Sequence, residues 1–469
     1  MAETDTDAAD EFDASISRAE ASDAHPPGLF RRYGRLPRNV LVISLVSFLN
    51  DASSEIIYPL LPVFLSVALG ASPAVVGLIE GGAESVSSFL KLFAGYFSDR
   101  SGRRKAPVVF GYALASIVRP LLGFATSWPQ LFAVRFADRV GKGIRSAPRD
   151  AMIADSAAPT ERGLAFGFHR AMDHFGAVVG PLLGFALLVL IAANRNSPTL
   201  AEYKLIFLAA SVPALAAVLV AAFALRETRK ERDDGRESRK AEAVRADALR
   251  AERRDAAHAA PVVPPAVNGV APPRFSLRGF DGNFKRFLVI LALFTLSNSS
   301  DAFLLLRARE VGISTATIPL LWAALHAIKV LSSLVGGDLS DRLGRKTLIV
   351  SGWLFYAGVY LGFAFVSTVG GAWVLFLTYG IYFGLVEGAE KALVADLVPA
   401  DKRGTAYGLY NLAFSITVWP ASLLMGALWS WRGASVAFIA SACIGTLAAL
   451  LLALTIRPAA VAPESSPAR

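Results

Sequence analysis

The sequence predicts an all-α membrane protein of twelve transmembrane helices built as two pseudo-symmetric halves, and three observations carry that prediction. Apolar residues make up 54% of the 469 and charged residues 18%, and a soluble chain of this composition would expose more apolar surface than water tolerates. Mostly apolar runs of about twenty residues recur, each long enough to cross a hydrocarbon core; a transmembrane barrel would show short alternating strands instead. A charged segment is written twice. Gly95-Tyr-Phe-Ser-Asp-Arg-Ser-Gly-Arg-Arg-Lys105 returns as Gly337-Asp-Leu-Ser-Asp-Arg-Leu-Gly-Arg-Lys346, 242 positions later, each time between two apolar runs. A second pair keeps nearly the same offset: Ala154-Asp155, Arg162-Gly163 and Gly167 match Ala395-Asp396, Arg403-Gly404 and Gly408. Duplicated halves around matching hairpins mean two related bundles.

The first apolar run, about 40–68, follows Arg31, Arg32, Arg35 and Arg38. The second, 74–98, starts after Gly70-Ala-Ser-Pro73 and ends at the first hairpin; the third, 106–126, starts from that hairpin. The fourth and fifth, 129–156 and 164–192, flank the first copy of the second repeat, and the sixth, 203–225, ends at a charged stretch. The second half repeats the order at 285–308, 313–338, 345–367, 371–397, 405–430 and 434–456. Both hairpins and the stretch between spans six and seven share the side of the basic N-terminal residues. Connections such as Gly70-Ala-Ser-Pro73 and Ser367-Thr-Val-Gly370 on the other side are almost uncharged, so the charge rule puts both termini in the cytoplasm. The chain thus divides into a tail (1–38), a first bundle (39–225), a linker (226–283), a second bundle (284–457) and a short tail (458–469). Arg226 to Asp255 is rich in Arg, Lys, Glu, Asp and Ala and is expected as a solvated helix, and Ala259 to Pro273 as extended chain. The same basic stretch suits anionic lipid or a partner.

Composition closes several classes. Cys443 is the single cysteine, which excludes disulfides within the chain and cysteine cages for metal. The formal charge of +9 does not point to nucleic acid, because Arg and Lys gather in alternate loops as topology demands. The first 38 residues are polar and open with acidic residues, so no cleavable signal is expected and insertion falls to the first apolar helix. There is no Ser or Cys nucleophile motif, P-loop or metal-spaced His or Cys cluster, and Gly141-Lys-Gly lacks the upstream glycine and spacing of a Walker loop. No enzyme, metal or bound cofactor is expected.

The hairpin glycines permit a tight turn, and their carboxylate and guanidinium groups suit a latch that breaks when two halves rock. The pattern Gly-x-x-x-Asp-Arg-x-Gly-Arg resembles motif A of the major facilitator superfamily, and the resemblance covers nearly the whole hydrophobic chain. It falls on Gly95, Asp99, Arg100, Gly102 and Arg103, and on Gly337, Asp341, Arg342, Gly344 and Arg345. The resemblance implies two six-helix bundles and alternating access to a central cavity. Arg139-Val-Gly-Lys-Gly143 is similar to motif B, whose arginine the family associates with proton coupling. Gly176-Ala-Val-Val-Gly-Pro-Leu-Leu-Gly184 resembles the motif C of proton-driven exporters; as chemistry it is small residues and a proline, suited to close packing and a kink. The string from Asp138 to Asp150 resembles a prokaryotic subgroup with few assigned substrates. It departs from ordinary motif B by placing Lys142 and Arg145 where Gln and Gly are usual.

Span four holds Arg135, Asp138, Arg139, Lys142, Arg145, Arg149 and Asp150, the first six within roughly a 120° arc. An unpaired charge near the bilayer centre costs about 2.5–3.5 kcal/mol on insertion scales, so this stripe must face a watery cavity or partner helices. Pro148 removes a backbone donor and should kink the helix. Glu80, Glu84 and Lys91 share one face of span two. Asn50 pairs with Ser54 and Asp51 with Glu55 on span one, and span five offers His169, Arg170, Asp173 and His174. The second half places Asp301, His326, Lys329, Glu387, Glu390 and Lys391 similarly, with Glu390-Lys391 opposite Arg149-Asp150 and the charges reversed. A proton site needs a carboxylate or imidazole able to gain and lose a proton, reset by a nearby cation. Glu84 and Asp51, near Arg139 if the family's packing holds, lead that choice, with His169 and His174 behind. The coupling and cavity set is therefore expected to be Asp51, Glu80, Glu84, Arg139, Lys142, Arg145, His169, Asp173, Asp301 and Glu387. Excess cationic groups favour an anionic solute held by forked arginine contacts, and Tyr58, Trp322, Tyr382 and Phe383 are candidate lining aromatics.

These readings together lead to a secondary transporter in the cell membrane, a proton-coupled exporter of a small organic or anionic solute. The proton gradient is its energy source, its partners are the solute and membrane lipid, and the chain is expected to act as a monomer. Two alternatives remain. A transporter-like sensor or scaffold would be expected to carry a larger extra domain than the twelve residues beyond Arg457. A nickel-type efflux permease sits poorly with five His and no His-rich tail. Cysteine labelling is predicted to find Arg239 and both hairpins on one side of the membrane and Ser72 and Ser367 on the other; labelling of Arg239 from the Ser72 side would overturn the twelve-span topology.

Overall fold

In a hydrocarbon solvent only a helix or a closed barrel satisfies its own backbone, and the described residues form helices with no strand among them. A computed structural model describes residues 36–158, 161–227, 277, 279–399 and 402–456. The expected helix and Pro-rich stretch of the linker, most of both tails, and the side chains of Asp99, Asp341, Arg342 and Glu387 lie outside the described residues.

The first half contains α1 (Arg38–Ala68), α2 (Pro73–Ser101), α3 (Lys105–Phe124), α4 (Trp128–Ser156), α5 (Arg162–Ile191) and α6 (Leu200–Ala224). The second contains α7 (Gly282–Glu310), α8 (Ile318–Leu343), α9 (Arg345–Phe365), α10 (Val369–Asp396), α11 (Arg403–Arg432) and α12 (Ala434–Thr455). Nine of them, among the described residues, are long and apolar enough to cross a membrane by length and composition. The exceptions are α2, α4 and α8. The first two reach 29 residues each but carry the charge stripes, and the apolar stretch described in α8 covers only Ile318–Ser332.

Local sequence sets the ends and breaks. Ser72 caps α2 and Pro73 occupies its first turn, where a missing N–H costs nothing. Thr199 and Glu202 form a capping box on α6. Pro59 and Pro62 interrupt α1, which finishes in a π-turn over Phe64–Ala68. No proline breaks α7. Its gap falls between Ser297 and Ala302, on Asn298-Ser-Ser-Asp301, residues whose side chains compete with helical backbone bonds. Helix α8 begins at Ile318 with Pro319 in its first turn, five residues later than the hydropathy pattern suggests, and runs on through the hairpin charges to Leu343. The hairpin turns are correspondingly short: Gly102–Arg104 in one half and Gly344 in the other, the glycines at φ 65° and 83°.

Within the first half α1 packs on α5 and α6, and α4 on α2 and α3; within the second α8 packs on α10, and α12 on α7 and α9. Between the halves α2 meets α11 and α5 meets α8. Each contact pairs the second helix of one half with the fifth of the other, as a pseudo-two-fold axis requires. Small residues make the close crossings. Gly176, Gly180 and Gly184 lie against the Phe48, Ala52 and Ile56 carbonyls of α1, and Gly77 and Gly81 against Ser422 of α11. The motif C-like run therefore packs α5 onto α1.

The hydrogen bonds described between the halves run from the helix midpoints to the end opposite the hairpins. Ala74 N–H donates to Ser430 Oγ (3.1 Å) and Ser85 Oγ to the Ser415 carbonyl (2.9 Å). Arg309 and Thr315 both donate to the Asn196 carbonyl, at 3.3 and 2.9 Å. Gly77→Ala would drive a methyl into the Ser422 backbone, and such overpacking costs about 1–3 kcal/mol. The variant is expected to open this end, read as faster alkylation of a cysteine placed at Ser430 in a chain whose exposed Cys443 has been replaced by serine. Unchanged labelling would show that the α2–α11 contact does not hold the end shut.

Candidate functional site

Between the halves lies a cavity of about 730 Å³. Its wall is mostly first-half residues from α1, α2, α4 and α5, while the second half contributes His326, Asn411, Phe414 and Ser415. Lys91, Arg149, Asp150 and Arg170 in that wall lie toward the hairpin ends of their helices, so the cavity extends toward the hairpins. Eight cationic side chains (Lys91, Arg119, Arg135, Arg139, Lys142, Arg145, Arg149 and Arg170) face six acidic ones (Asp51, Glu55, Glu84, Asp138, Asp150 and Asp173).

The deepest charges are locked together. Arg135 on α4 donates from Nε and Nη2 to the two oxygens of Glu80 on α2, both at 3.0 Å, with 5% and 4% of the side chains exposed. Asp138 is held by Arg119 of α3 at 3.1 Å and lies 3.7 Å from Arg135. Arg119 also donates to Ser53 Oγ (2.7 Å) and Asn50 Oδ1 (3.3 Å) on α1. Such bidentate, charge-assisted pairs are the strong kind, and removing one partner leaves the other charge buried alone. Four helices are tied at one point.

Toward the hairpins the charges are looser. Glu84 sits 3.9 Å from both Arg139 and Lys142, and 32% of its side chain is exposed. Arg149 pairs with its neighbour Asp150 at 3.0 Å and donates to Ser47 Oγ. Asp51 accepts from Asn50 (2.9 Å), and Glu55 accepts the Trp322 indole N–H across the half boundary at 2.8 Å.

Of the residues singled out by sequence, the structure brings Asp51, Glu84, Arg139, Lys142, Arg145 and Asp173 to the cavity wall. Glu80 stands behind it on Arg135. His169 is buried off the wall with Nε2 3.5 Å from Asp173. Asp301 lies apart from the wall in the second half, 3.5 Å from Lys329 and accepting from Tyr379 Oη at 2.8 Å, with Lys329 3.7 Å over the Phe383 ring. Among the suggested aromatics Tyr58 lines the cavity; Trp322, Tyr382 and Phe383 do not. Sequence reasoning missed Arg119, although a lone arginine inside an otherwise apolar run (Ile117-Val-Arg-Pro120) was the available signal.

At the hairpins Gly95 packs on Ala147, Arg103 is exposed, and Arg100 Nη1 contacts Tyr96 Oη at 3.4 Å. The buried ion pair is made by the next residue, Arg104, to Asp155 of α4 at 2.6 Å. In the second half Arg345 pairs with Asp396 and donates to the Ala392 carbonyl. Arg104 and Asp155 each stand 241 positions from Arg345 and Asp396, so the first hairpin carries one residue more between its glycine and its pairing arginine. Both described pairs lie within a half rather than between halves. Glu227 caps the start of α3 by accepting from the Arg104 and Lys105 amides at 2.6 and 3.1 Å.

A charge-lined cavity between two symmetry-related helical bundles defines an integral membrane transporter. The family model of the Major Facilitator Superfamily matches residues 43–418. The chain is similar to an uncharacterized MFS-type transporter of Methanocaldococcus jannaschii, 34% identical over 402 residues that cover 84% of this chain and 89% of that one. It is also similar to sugar efflux transporter B of Salmonella typhimurium, 22% identical over 396 residues covering 78% and 83% of the two chains. In fold it resembles a D-xylose–proton symporter, with a TM-score of 0.66 and 18% identity over 90% of this chain and 98% of that one. The chain belongs to the major facilitator superfamily, whose members are transporters and not enzymes.

The two hairpin arginines separate cleanly by experiment. Arg104→Ala exposes Asp155 and the end of α4 to an unmet charge and is expected to cost about 1–3 kcal/mol, whereas Arg103→Ala should stay within about 0.5 kcal/mol of the parent. Thermal unfolding in detergent checks this; equal losses would show that the pair to Asp155 carries no stability.

Proposed function

We propose that this protein is a proton-coupled secondary transporter that exports a small organic or anionic solute by alternating access. It would lie in the cytoplasmic membrane, with the hairpins and both termini on the cytoplasmic side. The carrying observation is the contrast between two acids one helical turn apart on α2. Glu80 is clamped bidentately on Arg135 and almost fully enclosed, whereas Glu84 reaches two cations only at 3.9 Å and meets the cavity. An acid that shares loose partners and sees water can gain a proton, release Arg139 and Lys142, and recover them on losing it. A clamped acid cannot.

Three observations support export. The basic hairpins favour the cytoplasmic side, which places the cavity where it is loaded from within the cell. The Gly176–Gly184 run resembles that of proton-driven exporters, and one similar protein is named as a sugar efflux transporter.

Proteoliposomes with an imposed pH gradient and a mixed-metabolite screen test the reading. Glu84→Gln, a near-isosteric mimic of the protonated acid, is expected to abolish gradient-driven accumulation while exchange at equal pH persists. Arg139→Lys should weaken coupling less than Arg139→Ala without full recovery, since lysine lacks the planar fork. If Glu84→Gln concentrates solute at the parental rate, Glu84 is structural.

A further inference from the structure

We propose that Arg145 anchors an oxyanion-binding site, and that the solute is a small organic anion carrying a carboxylate or phosphate group; this rests on the transporter reading above and narrows its substrate class. The other described cations of α4 each have a carboxylate: Arg135 has Glu80, Arg139 and Lys142 share Glu84, and Arg149 has Asp150. Arg145 has none. It lines the cavity, is 5% exposed, forms no ion pair or hydrogen bond with any described residue, and leaves its buried Nη1 without a partner. A buried guanidinium lacking a counter-ion is among the costliest groups a protein keeps, and its cost is met when a ligand supplies the charge.

The surroundings hold that guanidinium in place for a ligand. Gly111 and Gly141 let α3 and α4 cross so closely that a side-chain carbon at Gly111 would lie 2.7 Å from Arg145 Cβ. The crossing sets the Arg145 guanidinium 4.5 Å over the Tyr112 ring, and Tyr112 Oη is itself fixed 3.0 Å from Ser47 Oγ. Stacking takes the flat face of the guanidinium and leaves its N–H edge, the fork that matches two oxygens of a carboxylate or phosphate. Lys142, about one turn away, adds a point charge, and Arg139, nearly two turns away, leaves its Nε buried and unpartnered. Across the cavity Phe414 and the uncharged Asn411 and Ser415 provide a wall for the organic remainder. The same geometry accounts for the departure of this sequence from ordinary motif B at position 145. Arg145 is no partner of Glu84, so solute and proton are held on different helices, the solute on α4 and the proton on α2.

Full-length protein in lipid nanodiscs, with no ion gradient, tests this by thermal unfolding and equilibrium binding. Benzoate, citrate and glycerol 3-phosphate are the probes, with benzamide, glycerol and tetramethylammonium as uncharged and cationic comparisons. At least one anion is expected to raise the Tm saturably while the comparisons do not. Arg145→Gln should weaken that anion at least roughly tenfold, Arg145→Lys less. Ligand-free Arg145→Gln should melt close to the parental Tm, since no ion pair is lost and relief of the unpaired buried charge offsets the lost stacking on Tyr112, whereas Glu80→Gln should melt well below it. Stabilisation by none of the anions, equal binding by Arg145→Gln, or a fall in its ligand-free Tm comparable to that of Glu80→Gln would each overturn the proposal. Gradient-driven transport of a neutral or cationic solute by the same preparation would sink the anion class and leave proton coupling standing. Anion binding lost in Arg145→Gln but with no gradient-driven flux would keep this site and sink the coupling.

Discussion

Eight ionisable side chains on one membrane helix must each find a counter-charge or water, and the first half is arranged around that demand from α4. The solution is graded along the helix. At the deep end Glu80, Arg135, Asp138 and Arg119 form a closed network that also reaches Asn50 and Ser53, so α1, α2, α3 and α4 meet through paired charges. Desolvating such charges can cost as much as their attraction returns, so the network is better understood as fixing which helices meet, and in what register, than as added stability. Toward the hairpins the pairs loosen and water is admitted. The glycines follow the same logic: Gly111, Gly141 and Gly143 stand where α4 must approach α3 and α2 closely enough for those side chains to reach.

The second half solves a smaller problem with aromatics. Phe294 stacks on Trp353 at 4.0 Å, Tyr356, Tyr360, Tyr379 and Tyr382 pack around them, and Asp301 with Lys329 is enclosed in that cluster instead of opening to the cavity. The boundary between the halves is correspondingly poor in directional bonds. Glu55 accepts a side-chain hydrogen bond from Trp322 across it, and four further described bonds across it each use a backbone group on one side. An interface of that kind can repack between two arrangements without abandoning buried ion pairs, which alternating access requires. The strong charge pairs stay inside a half and the weak contacts lie between halves.

Period, composition and repeats made the helices legible, because a span of apolar residues bounded by basic turns has few alternative structures in a membrane. The misses have physical causes. Helix α8 is displaced because hydropathy ignores that Pro319 favours a first turn and that a helix continues through charged residues once it leaves hydrocarbon. The Arg103 assignment followed sequence register, whereas the closure of the turn after Gly102 presents Arg104 to Asp155. Asp301 was grouped with the cavity acids by residue type, but the break at Asn298–Asp301 and the neighbouring tyrosines turn it inward. Helical phase correctly gathered the α4 charges on one face. Phase alone could not show which would be clamped, which shared and which left without a partner, since that depends on the side chains opposite.

That last distinction bears on energetics of transport. With Arg135 neutralised by Glu80 behind it, seven cations against six acids leave the wall a formal excess of positive charge, and an anionic solute would reduce that excess as it binds. Moving a charge through the membrane potential is worth about 2.3 kcal/mol per charge for each 100 mV. With the cell interior negative, that term favours outward passage of an anion and inward passage of a proton. A carrier that holds the anion on Arg145 and the proton on Glu84 would draw on the potential for both movements and on the pH gradient for one. A neutral solute would forgo the first contribution and leave the Arg145 guanidinium of this arrangement without a counter-ion while bound.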